Sequence, residues 1–206
     1  MCEVLVCDVS TWRGDLVRAS ELSLAVQQAA TEFDAPWPVV ELAVVAKLAL
    51  VTGDVDRASI VLHELEAYPH MREDFDNMAF FPEITRAALG AVGVEFAQRL
   101  VTGIPESPMP LRRVSLEMVD AQLGEARGEL DRAEVLYAMA EEGWRTFSMP
   151  ERAQSLLGRG RCLLAMDDPG SAAVLREARE VFSSLGAGLY IPEVDSLLER
   201  AVARSS

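Results

Sequence analysis

Lysine and cysteine are scarce in this chain of 206 residues. Lys47 is the single lysine and Leu48 follows it, so the chain has no phosphate-binding loop of the Gly-Lys-Ser/Thr type. The three cysteines, Cys2, Cys7 and Cys162, include no Cys-x-x-Cys pair. This excludes a disulfide framework and a zinc site made of four cysteines, and we expect reduced thiols.

Basic charge and long apolar runs are also limited. The chain has 33 acidic and 19 basic residues, and its formal net charge of -14 repels polyanions, so we expect no nucleic-acid partner. The longest apolar stretch, residues 38–51, contains Glu41 and Lys47 and is too short and too charged to cross a membrane. The first residues lack the pattern of a secretory signal, which predicts a cytoplasmic location.

A short phrase recurs along the chain: Gly, then an acidic residue, with Ala five positions after the Gly. It stands at residues 14–19, 53–58 and 128–133, with degenerate copies at 92–97 and 166–171. The copies follow one another at about 36–39 residues, the spacing of helix-turn-helix repeats. We expect the Gly to end one helix, the acidic residue to begin the next, and the Ala to lie where two helices cross closely.

The apolar residues around these phrases have helical spacing, and prolines fall where helices should begin. Residues 1–12 are the exception, because Val4, Leu5, Val6 and Val9 also suit a strand; the repeat register favours a helix. Residues 69–81 and 103–110 are predicted to be irregular. The predicted helices span residues 2–12, 15–34, 38–52, 55–68, 82–91, 94–103, 110–127, 129–147, 151–166, 170–186 and 192–204.

Two parts of the chain resemble known helical repeats. Gly128, Ala133, Tyr137 and Ala140 have the spacing of the second helix of a tetratricopeptide (TPR) repeat, although the Trp, Leu-Gly and Tyr signature of the first helix is missing. Residues 82–187 resemble the C-terminal repeats of large bacterial signalling ATPases, including LuxR-type regulators and adenylate cyclase-linked ATPases. The resemblance implies an interaction or sensor array whose nucleotide-binding and output domains are absent from this chain.

Motifs that could indicate an enzyme are incomplete. Residues 158–163 begin like a dinucleotide-binding loop but lack the third glycine and a preceding strand, so small residues at a helix crossing are the better interpretation. His63 and His70 do not have the four-residue spacing of a zinc-protease helix, and the acidic residues 73–76 lack the spacing of a calcium loop. We therefore expect no catalytic activity, no metal and no cofactor.

The repeat register suggests one binding surface. Counting back six residues from the turns at 53, 92 and 128 places Lys47, Arg86 and Gln122 on the concave face that TPR-like repeats use for ligands. Two cations there could hold a carboxylate or phosphate of a peptide or small ligand. The alternative is that these groups pair with acidic residues of their own helices, namely Glu41, Glu83 or Glu125. Arg152, Arg159 and Arg161 form a second basic group with the same two interpretations.

The sequence thus predicts one all-α domain over residues 1–206: a TPR-like right-handed superhelix of about five hairpins and a C-terminal helix. Its predicted function is a non-catalytic protein-interaction or regulatory module in a bacterial signalling or transcription-regulating system. The alternative is a sensor that binds a small anionic ligand in its groove. The expected partner is a protein or peptide, with a homodimer possible because a solenoid that starts in mid-array exposes an apolar end.

Overall fold

The computed structural model describes residues 2–33, 38–68, 71–72, 75–105 and 108–205. Within these ranges every regular element is helical, and Phe75–Phe80 forms a 3-10 turn. The α-helices are α1 (Cys2–Arg13), α2 (Leu16–Phe33), α3 (Pro38–Val51), α4 (Val55–Ala67), α5 (Phe81–Ala91), α6 (Val94–Val101), α7 (Pro110–Ala126), α8 (Leu130–Phe147), α9 (Met149–Ala165), α10 (Ser171–Leu185) and α11 (Ile191–Ser205).

Each of the eleven predicted helices is present, with ends that differ by two residues at most, so the all-α prediction is confirmed over the described residues. Residues 2–12 are helical although their β propensity is high. Val4 and Cys7 are both buried and three residues apart, and Thr11 follows after four more. This spacing puts all three on one helical face, and burial of that face outweighs local propensity.

The chain divides into two compact units, Met1–Glu106 and Ser107–Ser206. In the first unit, α1, α2 and α3 enclose an apolar cluster made mostly of small and β-branched side chains. In the second, α7, α8 and α9 enclose a larger cluster that contains Tyr137 and Trp144. Each unit therefore has a hydrophobic core of its own.

Left-handed residues end the helices at the predicted turns. Gly14, Gly53 and Gly128 have φ values of 82°, 84° and 78°. At each of these turns the N–H of the next residue bonds to the carbonyl five positions earlier, as in Asp54 N to Ala49 O at 2.8 Å. This hydrogen bond satisfies a carbonyl that the helix end would otherwise leave unpaired.

The two degenerate turns depart from the predicted pattern. At the last of the five turns, which follows α9, Asp167 takes the left-handed conformation with φ 58°, whereas Gly170 has an ordinary φ of -71°. The true register of this copy is thus one residue later than the phrase at 166–171 suggests. At the turn between α5 and α6 it is Gly93, with φ 128°, that has the positive angle.

The alanines of the phrase lie at close helix crossings, as predicted. Ala19, Ala58, Ala97 and Ala133 are all fully buried. A Cβ built on Gly124 of α7 would lie 3.5 Å from the Cβ of Ala133 on α8, which is van der Waals contact. The short side chains therefore set the distance between the two helices of a hairpin.

Candidate functional site

Lys47 lies in the middle of α3 and is buried, with 3% of its surface exposed. Its ammonium group bonds to Asp8 of α1 and to Glu83 Oε2 of α5, the latter at 3.3 Å. Arg86 Nη2 also bonds to Glu83 Oε2, at 3.2 Å. We call Asp8, Lys47, Glu83 and Arg86 the charge cluster of the first unit.

The charge cluster offsets the cost of burying the charged forms of Lys47 and Glu83, but not that of Asp8. Burial alone would lower the pKa of Lys47, but Glu83 and Asp8 raise it above its ordinary value. Burial would likewise raise the pKa of Glu83, yet Lys47 and Arg86 lower it. The pKa of Asp8 is raised, because burial outweighs the attraction of Lys47. The Trp12 ring adds a cation–π contact, with its centroid 5.1 Å from Lys47 Nζ.

The two cations predicted to hold an anion therefore share one carboxylate, that of Glu83. An incoming phosphate or carboxylate would have to replace Glu83 or Asp8. The alternative prediction, that these cations pair with carboxylates of their own helices, holds for Arg86, which bonds to Glu83 three residues earlier. It does not hold for Lys47, whose partners come from α1 and α5, while Glu41 Oε2 is buried and has no hydrogen bond to any described residue.

Gln122, the third predicted groove residue, lies on α7 in the second unit. It is buried, with 3% of its surface exposed, and neither its Nε2 nor its Oε1 has a hydrogen-bond partner among the described residues. Two contacts between α7 and α9 bracket it. Met118, one turn earlier, accepts from Ser155 Oγ at 3.2 Å, and Glu125, about one turn later, accepts from Arg161.

Further unpaired polar atoms of the second unit lie on α7, α8 and α9. They are Ser115 Oγ of α7, Trp144 Nε1 of α8 and Gln154 Nε2 of α9. Ser115 and Gln122 are seven residues apart and so share one face of α7. Gln154 directly precedes Ser155, the residue that contacts Met118. We call Ser115, Gln122, Trp144 and Gln154 the unpaired polar set.

The second basic group is fully engaged with carboxylates of other helices. Arg152 Nε bonds to Glu141 Oε1 at 2.8 Å, and its Nη2 bonds to Glu177. Arg159 Nε bonds to Glu134 Oε1 at 2.7 Å. These pairs join α9 to α8 and α10, so the group serves the packing of neighbouring helices rather than forming a free anion site.

Arg161 belongs to a chain of hydrogen bonds that crosses the second unit. It binds both oxygens of Glu125, at 2.6 and 2.9 Å, and its Nη1 reaches Glu193 of α11 at 3.1 Å. Tyr137 Oη donates to Glu125 Oε2 at 2.6 Å. Burial and the neighbouring Glu125 raise the pKa of Tyr137 well above its ordinary value, so the phenol stays protonated.

The two cysteines whose side chains are described are held in their less reactive form. Burial and Glu125 raise the pKa of Cys162 to about 12. Burial and the adjacent Asp8 raise the pKa of Cys7, whose Sγ donates to the Ala19 carbonyl at 3.3 Å. A thiol rather than a thiolate is thus present in both places near neutral pH, and a thiol is a poor nucleophile.

The glycines of the incomplete dinucleotide motif lie at helix crossings, as the sequence indicated. A Cβ on Gly158 would lie 2.3 Å from Cζ of Tyr137, and one on Gly160 would lie 2.5 Å from Cδ2 of Leu175. Both glycines therefore make room for a side chain of a neighbouring helix.

The two histidines and the acidic run can be placed only in part. His63 is exposed, and its Nδ1 lies 2.7 Å from the Ser59 carbonyl of its own helix. His70, Glu73 and Asp74 lie outside the described residues, and the side chain of Asp76 is likewise not described. Within the described part of the chain, no group of three or more His, Cys, Asp and Glu side chains could hold a metal ion.

Two cavities are described. One of about 180 Å³ lies among α2, α3 and α4 and is lined by polar residues such as Ser20 and Asp54 beside Leu48. The other, of about 550 Å³, lies at the turn that follows α9 and is bordered by Asp167 and Arg204, which bond to each other. Neither touches the charge cluster or the unpaired polar set.

Sequence reasoning missed Asp8, Trp12, Ser115 and Gln154. Asp8 and Trp12 reach Lys47 only because α1 packs on α3, and no spacing in the sequence signals that contact. The helical register could locate Gln122 on α7, but it could not show that Gln122 lacks a hydrogen-bond partner.

None of the helices in the described ranges is both long and apolar enough to span a membrane. No family model, curated protein or solved structure matches this chain.

Proposed function

We propose that this chain is a non-catalytic protein-interaction or regulatory module. Its helical hairpins would form a single TPR-like domain, a right-handed superhelix over residues 1–206, that serves a bacterial signalling or transcription-regulating system. The partner would be an extended protein or peptide segment. The resemblance of residues 82–187 to repeats of signalling ATPases is the basis for the signalling role.

The observation that carries this proposal is Gln122. A buried amide with neither a donor nor an acceptor partner costs about 1–3 kcal/mol per group, and native proteins rarely keep such groups without a use. A carboxamide supplies one donor group and one acceptor, which is the pattern that a peptide backbone complements. We therefore propose that Gln122, which is buried in the free protein, turns outward when a segment binds and bonds to the backbone of that segment.

The charge cluster supports a peptide partner over a small anionic ligand. Lys47 and Arg86 are held by Glu83, so a free anion would compete with a carboxylate that is already in place and hydrogen-bonded. The protonated state of Cys7 and Cys162 supports a non-catalytic role, because it leaves both thiols weakly nucleophilic.

The test begins with native mass spectrometry of the protein purified from its own host. The proposal expects a stoichiometric complex with another polypeptide, and the affinity of that polypeptide is then measured for the wild type and for Gln122→Leu. Loss of the amide bonds should weaken binding about tenfold. Gln98→Leu is the matched control, because Gln98 lies on α6 and bonds to Thr102 at the surface.

Two outcomes would count against the proposal. A retained small anion instead of a polypeptide would favour the sensor alternative. Equal affinities of wild type and Gln122→Leu for an identified partner would remove Gln122 from the binding surface.

A further inference from the structure

Helix α1 carries an exposed apolar stripe. Leu5, Val6 and Val9 are 49%, 39% and 47% exposed, although the helix has only 12 residues. Leu5 and Val9 are four residues apart and Val6 and Val9 are three apart, so the three side chains share one side of α1. The buried residues Val4 and Cys7 lie on the opposite side. The stripe is thus the unpartnered face of an amphipathic helix.

The second helix of the same hairpin adds to this exposure. Val17 and Leu24 of α2 are 74% and 57% exposed and are seven residues apart, which places them on one face of α2. Few large apolar side chains are normally left in water so close together along a chain. Burying them against another apolar surface would be favourable by the ordinary hydrophobic effect.

Charges at the two ends of the stripe indicate which surface would cover it. Glu3, three residues before Val6, is exposed at the N-terminal end, and Arg13, four residues after Val9, is exposed at the C-terminal end. If two α1 helices pack antiparallel, Glu3 of each copy lies beside Arg13 of the other. The helix dipoles then also oppose each other favourably. The stripe is therefore complementary to itself under a twofold axis.

We propose that two copies of this chain associate through an antiparallel pair of α1 helices, with Leu5, Val6 and Val9 of each copy in contact across the twofold axis. The pairing buries the stripe and joins Glu3 to Arg13 twice. In a protein with a net charge of -14, this balanced face is where two copies can approach with little repulsion. The pairing does not depend on the proposed function of Gln122.

Sedimentation equilibrium of the full chain tests the pairing. The wild type should sediment at twice the 22.5 kDa of one chain. Val9→Glu places a carboxylate in the apolar contact and should raise the dimer Kd by about tenfold or more. Val135→Glu is the control, because Val135 is a similarly exposed valine on α8 and should leave the dimer intact. Circular dichroism checks that each variant keeps its helix content.

A charge-reversal series tests the antiparallel orientation. Glu3→Arg alone and Arg13→Glu alone should each weaken the dimer about two- to fivefold, because each brings like charges together at the rim. The double variant Glu3→Arg/Arg13→Glu restores both pairs in an antiparallel dimer and should recover the wild-type Kd.

The proposal is overturned if the wild type is monomeric at all concentrations, or if Val9→Glu dimerises as well as Val135→Glu does. A double charge reversal that binds as weakly as the single variants, or more weakly, would overturn the antiparallel arrangement.

Discussion

The two units treat their buried polar groups in opposite ways. In the first unit Lys47 reaches the interior with two carboxylates bonded to it, and the unpaired buried atom described there is Glu41 Oε2. In the second unit Arg152 and Arg161 are equally well paired, yet the amide of Gln122 and one polar atom each of Ser115, Trp144 and Gln154 have no hydrogen-bond partner in the part of the chain that the structure describes. Paired buried charges hold helices together, whereas unpaired buried amides leave bonding capacity that another molecule can use.

The largest expected effect comes from breaking the charge cluster. Lys47→Met keeps the length of the side chain but leaves the buried Glu83 and the half-buried Asp8 without the ammonium group between them. Removal of one partner from a buried ion pair costs about 3–5 kcal/mol. We expect a loss of that size in the free energy of unfolding, measured by urea denaturation followed by circular dichroism.

Two controls make the Lys47→Met result specific. Arg132→Met removes an exposed cation that pairs with Glu129 on the surface, and should cost less than about 1 kcal/mol. Adding Asp8→Asn to Lys47→Met neutralises the carboxylate that was bonded to Lys47 and should recover part of the loss, whereas Glu83 keeps Arg86 as a partner. If Lys47→Met and Arg132→Met cost the same, the charge cluster is not a stabilising device.

The next largest loss of stability is expected at a helix crossing of the second unit. Ala133→Leu inserts three carbon atoms where α8 meets α7 at Gly124, and overpacking of this kind costs about 1–3 kcal/mol. Val135→Leu on the same helix enlarges an exposed side chain and should change the free energy of unfolding by less than about 0.5 kcal/mol. An unchanged melting temperature for Ala133→Leu would remove Ala133 from the core.

How far the sequence could predict these features depends on their range along the chain. The glycine turns and the alanine crossings are local, because Gly53 and Ala58 act within one turn of helix, and they were predicted with the helix boundaries. The partners of Lys47 come from positions 8 and 83, on helices distant in sequence. A side-chain position can be read from helical periodicity, but its hydrogen-bond partners require the packing of several helices.

At the turn after α9 the sequence did not predict which residue is left-handed, although the turn is local. The phrase at 166–171 put Met166 at the turn position, but the left-handed residue is Asp167. Asp tolerates this conformation better than most residues, because its short side chain can bond locally. Composition alone does not distinguish the two positions, whereas the hydrogen bond from Asp168 N to Leu163 O does, at 2.9 Å.

The smallest expected change in the free energy of unfolding is a gain, and it best distinguishes the two units. Gln122→Leu replaces a buried amide that has no hydrogen bonds with an apolar group of similar size, so the folded state no longer contains a desolvated amide. We expect the free energy of unfolding to rise by about 1 kcal/mol, in contrast to the loss at Lys47. Gln98→Leu, at a surface amide, should stay within about 0.5 kcal/mol of the wild type.

A substantial loss of stability for Gln122→Leu would show that its amide is satisfied within the free protein, for example by a buried water molecule. The buried polar groups of the two units would then be paired alike. A gain in stability together with weaker partner binding is the trade-off expected of a residue kept for binding rather than for folding.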